Sequence, residues 1–112
     1  MFGFQCFDAY KAVVRFLGVA SNLVTKIPRG NAVFSDQLRR AALSVPLNIA
    51  EGSGKFSRDA RRFYTVARGS ALECAAILDA LACLGLLEDN DLAQGRAFLE
   101  RAVATLTGLI RE

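Results

Sequence analysis

Polar side chains interrupt two otherwise apolar helical stretches, and they are the first candidates for chemistry in this sequence. One set recurs at intervals of four, four and three residues, which places it on one helix face; it consists of Arg40, Ser44, Asn48 and Glu51. A second set shares a face in the next helical stretch and consists of Arg62, Ser70 and Glu73. Three roles are open for these seven residues: an interhelical hydrogen-bond network that fixes register, a ligand or active site, or a seam between subunits.

Folding the second stretch back on the first about residues 54–56 brings complementary groups together. Arg40 then faces Ser70 and Glu73, while Asn48 and Glu51 face the arginines at 58 and 62. We therefore predict two interhelical charge pairs within the polar network.

Catalytic and metal-binding residue types are scarce. The sequence contains no histidine, the side chain most often used for proton transfer near neutral pH and for metal ligation. Cys6, Cys74 and Cys83 form no CxxC pair, and we expect them to be small buried hydrophobes. The stretch 51–56 resembles a phosphate-binding loop, but an apolar residue follows its lysine, where that loop needs Ser or Thr. We expect no enzyme, no cofactor and no metal site.

The net charge of +3 hides a segregation along the chain. Residues 26–68 contain nine basic and three acidic side chains, whereas residues 69–112 contain three basic and seven acidic ones. Such asymmetry is typical of a surface that binds a polyanion, although a solvated helical face would show the same pattern. We assign Arg40 and Arg62 to internal pairing. The other basic residues of the first segment are the candidates for phosphate contacts: Lys26, Arg29, Arg39, Lys55, Arg58, Arg61 and Arg68.

Four amphipathic helices must position these side chains. Apolar residues recur at helical spacing over four segments, residues 7–27, 36–52, 58–84 and 90–111. Short connections make neighbouring helices antiparallel, so we expect a single all-α domain over residues 1–112, an up-down-up-down antiparallel four-helix bundle. Ser35 is the predicted N-cap of the second helix, Pro46 should bend that helix without ending it, and Gly85 should end the third.

The first helix has a second apolar stripe beside its core stripe. Because one stripe is enough for a small bundle, we expect the second to contact another subunit. It consists of Phe16, Val19, Ala20, Leu23 and Ile27. No uncharged run approaches the roughly 18–20 apolar residues of a membrane span, so we expect a soluble, cytoplasmic protein with no membrane partner.

The segment from Gln37 to Glu73 resembles the signature of the four-helix-bundle proteins encoded in intervening sequences of bacterial large-subunit ribosomal RNA genes. The matching elements are Arg40-Ala41, Ser44, Asn48-Ile49-Ala50-Glu51-Gly52, Ser57, Phe63, Ala67 and Ser70-x-x-Glu73. That family is similar in turn to the accessory protein of diversity-generating retroelements, a ring-forming bundle that binds nucleic acid and a reverse transcriptase. The resemblance implies a homo-oligomer, with a pentameric ring as the expected form, and no catalytic activity.

Three functional hypotheses remain open. The first is a non-enzymatic, ring-forming bundle whose basic surface contacts RNA or DNA phosphates with little sequence readout. The second is a protein–protein adaptor on which a reverse transcriptase or another protein docks, the basic face being incidental. The third is a small-molecule enzyme, which would require a pocket converging on Glu51, Ser70 and Glu73.

Overall fold

Four helices form the protein in a computed structural model, which describes residues 3–111 apart from the side chains of residues 4 and 5. The helices are α1 (Phe4–Lys26), α2 (Ala32–Ser53), α3 (Ser57–Cys83) and α4 (Asp89–Arg111). Over the described residues there is no strand. Helices α1 and α3 each pack against both α2 and α4, which places the four helices at the corners of a square. The predicted all-α, up-down-up-down antiparallel bundle is confirmed.

The start of α2 differs from the prediction by four residues. The helix begins at Ala32, and its first backbone hydrogen bonds run from Phe34 and Ser35 to the carbonyl of Asn31. The Asn31 side chain donates instead to the carbonyl of Pro28 at 2.9 Å, so it stabilises the loop rather than capping the helix. Ser35 lies one turn inside α2, and its prediction as the N-cap is wrong.

The end of α3 follows the prediction. Gly85 has a φ of +69°, a left-handed conformation that glycine adopts without strain. The N–H of Leu86 reaches back to the carbonyl of Leu81 at 2.9 Å, and the N–H of Gly85 to that of Ala82 at 3.0 Å. This pair of bonds is the Schellman arrangement that closes a helix. Pro46, by contrast, lies inside α2 without ending it, as predicted.

The second apolar stripe of α1 belongs to the core of the chain itself. Phe16, Ala20 and Leu23 are 0%, 1% and 2% exposed, and Val19 and Ile27 pack partly buried against the same core. The predicted subunit contact through Phe16, Ala20 and Leu23 is therefore wrong, and one through the part-exposed Val19 and Ile27 stays a prediction. Since α1 packs on both α2 and α4, it needs an apolar surface wide enough for two neighbours.

No described helix combines the length and apolar character needed to cross a membrane. The bundle measures 44 × 21 × 19 Å, so its two ends are far apart.

Candidate nucleic-acid interface

A small hydrogen-bonded cluster joins the middle of α2 to the middle of α3. The hydroxyl oxygens of Ser44 and Ser70 are 2.9 Å apart. The side-chain amide of Asn48 donates to the carbonyl of Ser44 at 2.8 Å and to its hydroxyl at 3.1 Å. These part-buried groups fix the register of the two helices, because sliding one helix would leave their polar atoms unpaired. The structure thus brings together three of the seven predicted network residues.

Arg40 and Glu73 lie at the edge of this cluster. Both are exposed, and both line a shallow cavity of about 200 Å³ together with Ser44 and Ser70. Among the described side chains they form no ion pair, so the predicted Arg40–Glu73 pair does not form. Both side chains are exposed beside the same cavity, where water screens their charges and little favours a direct contact.

Glu51 and Arg62 have different partners from those predicted. The carboxylate of Glu51 pairs with Lys55 in the next turn at 3.5 Å, and the guanidinium of Arg62 lies 5.6 Å from the ring centre of Phe63. The predicted pairing of Glu51 with the arginines at 58 and 62 does not form. Arg62 is exposed, and it belongs to the basic surface rather than to an internal network.

The seven predicted phosphate contacts are distributed over distant parts of the bundle. Lys26 and Arg29 lie where α1 ends, and Lys26 Nζ pairs with Asp91 at the start of α4 at a distance of 3.0 Å. Arg39 is exposed in the first half of α2, away from the turn that follows that helix. The seven residues therefore do not lie on one continuous surface, and phosphate contact by each of them stays a prediction.

Arg68 is held within the bundle. It is half-buried, and its Nε donates to the hydroxyl of Thr107 at 2.8 Å, which ties α3 to α4. The Thr107 hydroxyl in turn donates to the carbonyl of Val103 at 2.7 Å. We therefore assign Arg68 a structural role.

The remaining basic candidates cluster at one end of the bundle, which we call the α2–α3 end: residues 54–62 with the first turns of α1 and the last turn of α4. Lys55 lies in the connection, and Arg58, Arg61 and Arg62 lie in the first two turns of α3; all four are exposed. Because the three arginines follow one another at intervals of three and one, they share the outward face of α3. Over residues 51–62 four basic side chains stand against two acidic ones.

Aromatic rings are interleaved with these cations. Lys55 Nζ lies 5.9 Å from the ring centre of Phe63, on the other side of the turn. On α1, Lys11 Nζ lies 4.9 Å from the ring centre of Phe7. A contact of 3.5 Å between Cys6 Sγ and Tyr64 Oη holds this first part of α1 against α3. The cation–π contacts found among the described side chains thus lie at the α2–α3 end.

Phe56 is the functional candidate that sequence reasoning missed. Its side chain is 94% exposed, more than any other large apolar side chain described. The signal was present in the sequence, since a phenylalanine stands in the connection between Lys55 and Arg58 rather than on a helical stripe. In the sequence, this stretch resembles only a phosphate-binding loop that lacks the required Ser or Thr.

The opposite end of the bundle has the opposite charge. The α3–α4 connection together with the first turn of α4, residues 84–91, carries three acidic side chains and no basic one. It lies beside Lys26 and Arg29 because α4 starts where α1 ends, as the Lys26–Asp91 pair shows. The charge of Lys26 is therefore offset locally. At the α2–α3 end Glu51 offsets only Lys55, and the three arginines form no ion pair among the described side chains.

The buried titratable groups are structural. Burial, with the charge of Glu73 nearby, raises the pKa of the Cys74 thiol to about 12, so this thiol stays protonated at neutral pH and is a poor nucleophile. Burial and the contact with Cys6 likewise raise the pKa of Tyr64 above its ordinary value.

Cys83 is exposed, which corrects its prediction as a buried hydrophobe. Over the described residues, no cluster of His, Cys, Asp or Glu has the arrangement of a metal site.

Comparison with known proteins gives one family. The family described as 23S rRNA-intervening sequence protein matches residues 7–108, which cover all but the ends of the bundle. A comparison with curated proteins gives no match. The chain therefore belongs to the 23S rRNA-intervening sequence protein family.

Proposed function

We propose that this protein is a non-enzymatic, homo-oligomeric helical bundle that binds RNA or DNA through its α2–α3 end. The observation that carries the proposal is the convergence of Lys55, Arg58, Arg61 and Arg62 on one exposed surface. The name of the family, which refers to intervening sequences of ribosomal RNA, agrees with an association with RNA. Free cysteines suit the reducing cytoplasm, where we place the protein.

Arginine at these positions is well suited to phosphate. A guanidinium donates two parallel hydrogen bonds to phosphate oxygens, and it keeps its charge at any physiological pH. Arg58 and Arg62 are one helical turn apart, about 6 Å along the axis of α3, so they can contact neighbouring phosphates of one strand. Contacts of this kind position a nucleic acid without reading its sequence.

Exposed apolar side chains on α2 and α3 support the homo-oligomer. Leu43 and Leu47 lie one turn apart on the outside of α2, and Val66 is exposed on α3. These side chains replace the α1 stripe as the proposed contact between copies. The pentameric ring remains the form that we propose from the family resemblance. A ring would set several α2–α3 ends side by side, and multivalent contacts of this kind strengthen binding.

Fluorescence anisotropy with labelled RNA and DNA of about 20 nucleotides tests phosphate contact. The affinity of the unaltered protein should fall steeply with salt, because binding releases counterions. Replacing both Arg58 and Arg61 with alanine should lower the slope of log affinity against log salt by about 1.5, since each lost contact removes roughly 0.7–0.9. The matched control removes the same charge elsewhere, by replacing Arg15 and Arg101, which are both exposed.

A flat salt response of the unaltered protein would contradict phosphate contact altogether. An equal loss in the control variant would show that net charge alone is responsible, and the α2–α3 end would no longer be the site.

Light scattering tests the assembly separately. The pentamer predicts a mass of about five times 12.1 kDa. Leu47→Glu should lower that mass, because a charge would be buried at the proposed contact. Val33→Glu, at an exposed position near the start of α2, should leave it unchanged. A monomeric mass for the unaltered protein would contradict the homo-oligomer.

The adaptor hypothesis remains as a second candidate because of one groove. Leu72 and Ala75 of α3 and Val103 and Ala104 of α4 line a surface depression of about 390 Å³. An amphipathic helix of a partner protein fits such a surface. Purified protein without salt-dependent binding to either nucleic acid would favour this function over the first.

A further inference from the structure

We infer that the α2–α3 end binds single-stranded nucleic acid and that the ring of Phe56 stacks on an unpaired base. This inference rests on the proposed function and specifies its ligand. A phosphate contact alone does not distinguish a single strand from a duplex, because both present phosphates. An exposed aromatic ring does, since only an unpaired base offers it a free face.

The backbone holds Phe56 in a defined position while its ring stands in water. Phe56 precedes the first residue of α3, and its carbonyl accepts a hydrogen bond from the N–H of Ala60 at 2.8 Å. The side chain is nevertheless 94% exposed. Fully burying a phenylalanine would favour folding by roughly ten- to a hundredfold, and the protein without a ligand lacks that stabilisation at Phe56. A fixed backbone also means that little freedom is lost when a ligand covers the ring.

Cations flank this residue along the chain, because Lys55 precedes it and Arg58 and Arg61 follow it in the first two turns of α3. Arg58 and Arg61 are exposed and carry no ion pair among the described side chains, so both are available for phosphates. Lys55, the preceding residue, is already paired with Glu51 at 3.5 Å. A strand that crosses this end would place a base on Phe56 and its flanking phosphates near the two arginines. Aromatic rings within a basic surface are typical of proteins that bind single strands without sequence preference.

A second copy of this chain is a poorer occupant for Phe56. A symmetric contact through this ring would bring Lys55, Arg58 and Arg61 of one copy close to the same cations of the other. Like charges brought together in this way oppose association. A polyanion has the complementary charge, and a nucleic acid adds the flat apolar bases that the ring needs.

Tryptophan fluorescence gives a direct test because the chain contains no tryptophan. Phe56→Trp introduces a single reporter at the proposed stacking position. Unlabelled single-stranded RNA or DNA should quench its emission by stacking, and a duplex of the same sequence should quench it much less. Val33→Trp places the same reporter at an exposed position near the other end of the bundle, and there we expect no quenching.

Affinity gives the second test. Phe56→Ala should weaken binding to labelled single strands about tenfold, the usual loss when one stacked base is given up. Binding to the duplex should stay the same, and so should the salt slope, because no charge is removed. Phe56→Trp should retain the affinity. Leu84→Ala, which truncates an exposed apolar side chain in the acidic α3–α4 connection, is the control and should change nothing.

The outcomes separate this inference from the proposed function. If the unaltered protein binds both probes with strong salt dependence and Phe56→Ala binds them equally well, the stacking role is wrong while the phosphate site stands. An equal loss of duplex binding, or a smaller assembly of Phe56→Ala in light scattering, would also overturn it. If the unaltered protein binds neither probe, the proposed function fails and the inference fails with it.

Discussion

Gly52 lies where α2 approaches α3 closely, and its replacement by alanine tests the packing directly. A Cβ at Gly52 would lie 2.7 Å and 3.0 Å from ring carbons of Tyr64 and 3.2 Å from Cβ of Phe63. Tyr64 is buried, and its hydroxyl contacts Cys6 Sγ at 3.5 Å. The ring therefore cannot turn aside without breaking other contacts, and Gly52→Ala forces the helices apart or displaces the ring.

Two opposing terms determine the size of the effect. Alanine stabilises a helix interior by roughly 0.5–1 kcal/mol relative to glycine. Overpacking a filled interface costs about 1–3 kcal/mol. The free energy of unfolding should therefore fall by about 1 kcal/mol in Gly52→Ala, although the substitution favours the helix itself.

Gly69 is a matched control in the middle of α3. A Cβ there meets no atom within 4 Å, so Gly69→Ala should show only the helical gain of roughly 0.5–1 kcal/mol. Urea denaturation followed by circular dichroism, with all variants at one protein concentration, measures both changes. If Gly52→Ala were as stable as Gly69→Ala, the close approach of α2 to Tyr64 would be wrong.

Three further changes test other parts of the bundle. A double-mutant cycle of Ser44→Ala and Ser70→Ala should give a coupling energy of about 0.5–1.5 kcal/mol in urea denaturation, and additivity would contradict their hydrogen bond. Glu73→Ala should lower the free energy of unfolding by less than about 0.5 kcal/mol, because this exposed side chain forms no described ion pair. A loss of about 3 kcal/mol or more would indicate that Glu73 does form the predicted buried pair. Burial raises the pKa of Cys74 from 9.0 to about 12. The Cys74 thiol therefore loses its proton in the unfolded chain before it does so in the folded one, and the free energy of unfolding should fall as the pH rises from 9.0 towards 12. This fall should be less steep in Cys74→Ala.

The sequence predicted the helices well because their apolar residues repeat with the period of an α-helix. Three of the four predicted helices start within three residues of the observed position, and the exception is α2. Both Asn31 and Ser35 are residue types that cap helices, and sequence alone did not separate them. The turn before α2 determines where the helix starts, because Gly30 adopts a φ of +91° and the chain enters the helix immediately afterwards.

Burial around each helix was harder to predict than the helix itself. An apolar stripe shows that a helix face is covered, but it does not show whether the cover is the same chain or another. In a square bundle every helix has two neighbours, so both stripes of α1 are used within the chain. The polar network illustrates the same limit, because Ser44 and Ser70 meet only after the register places them opposite each other.

Charged residues that lie close together in the sequence do not all lie close together in the folded bundle. Lys26 and Lys55 belong to one basic segment of the sequence, yet the 22 residues of α2 between them span about 33 Å. The antiparallel topology also brings the acidic residues 84–91 to the end that contains Lys26. One end of the bundle therefore combines cations with nearby carboxylates, and the other retains a surplus of arginine around Phe56. This difference in charge would attract a polyanion to the second end and repel it from the carboxylates of the first, and it is the electrostatic basis on which we propose the α2–α3 end as the binding surface.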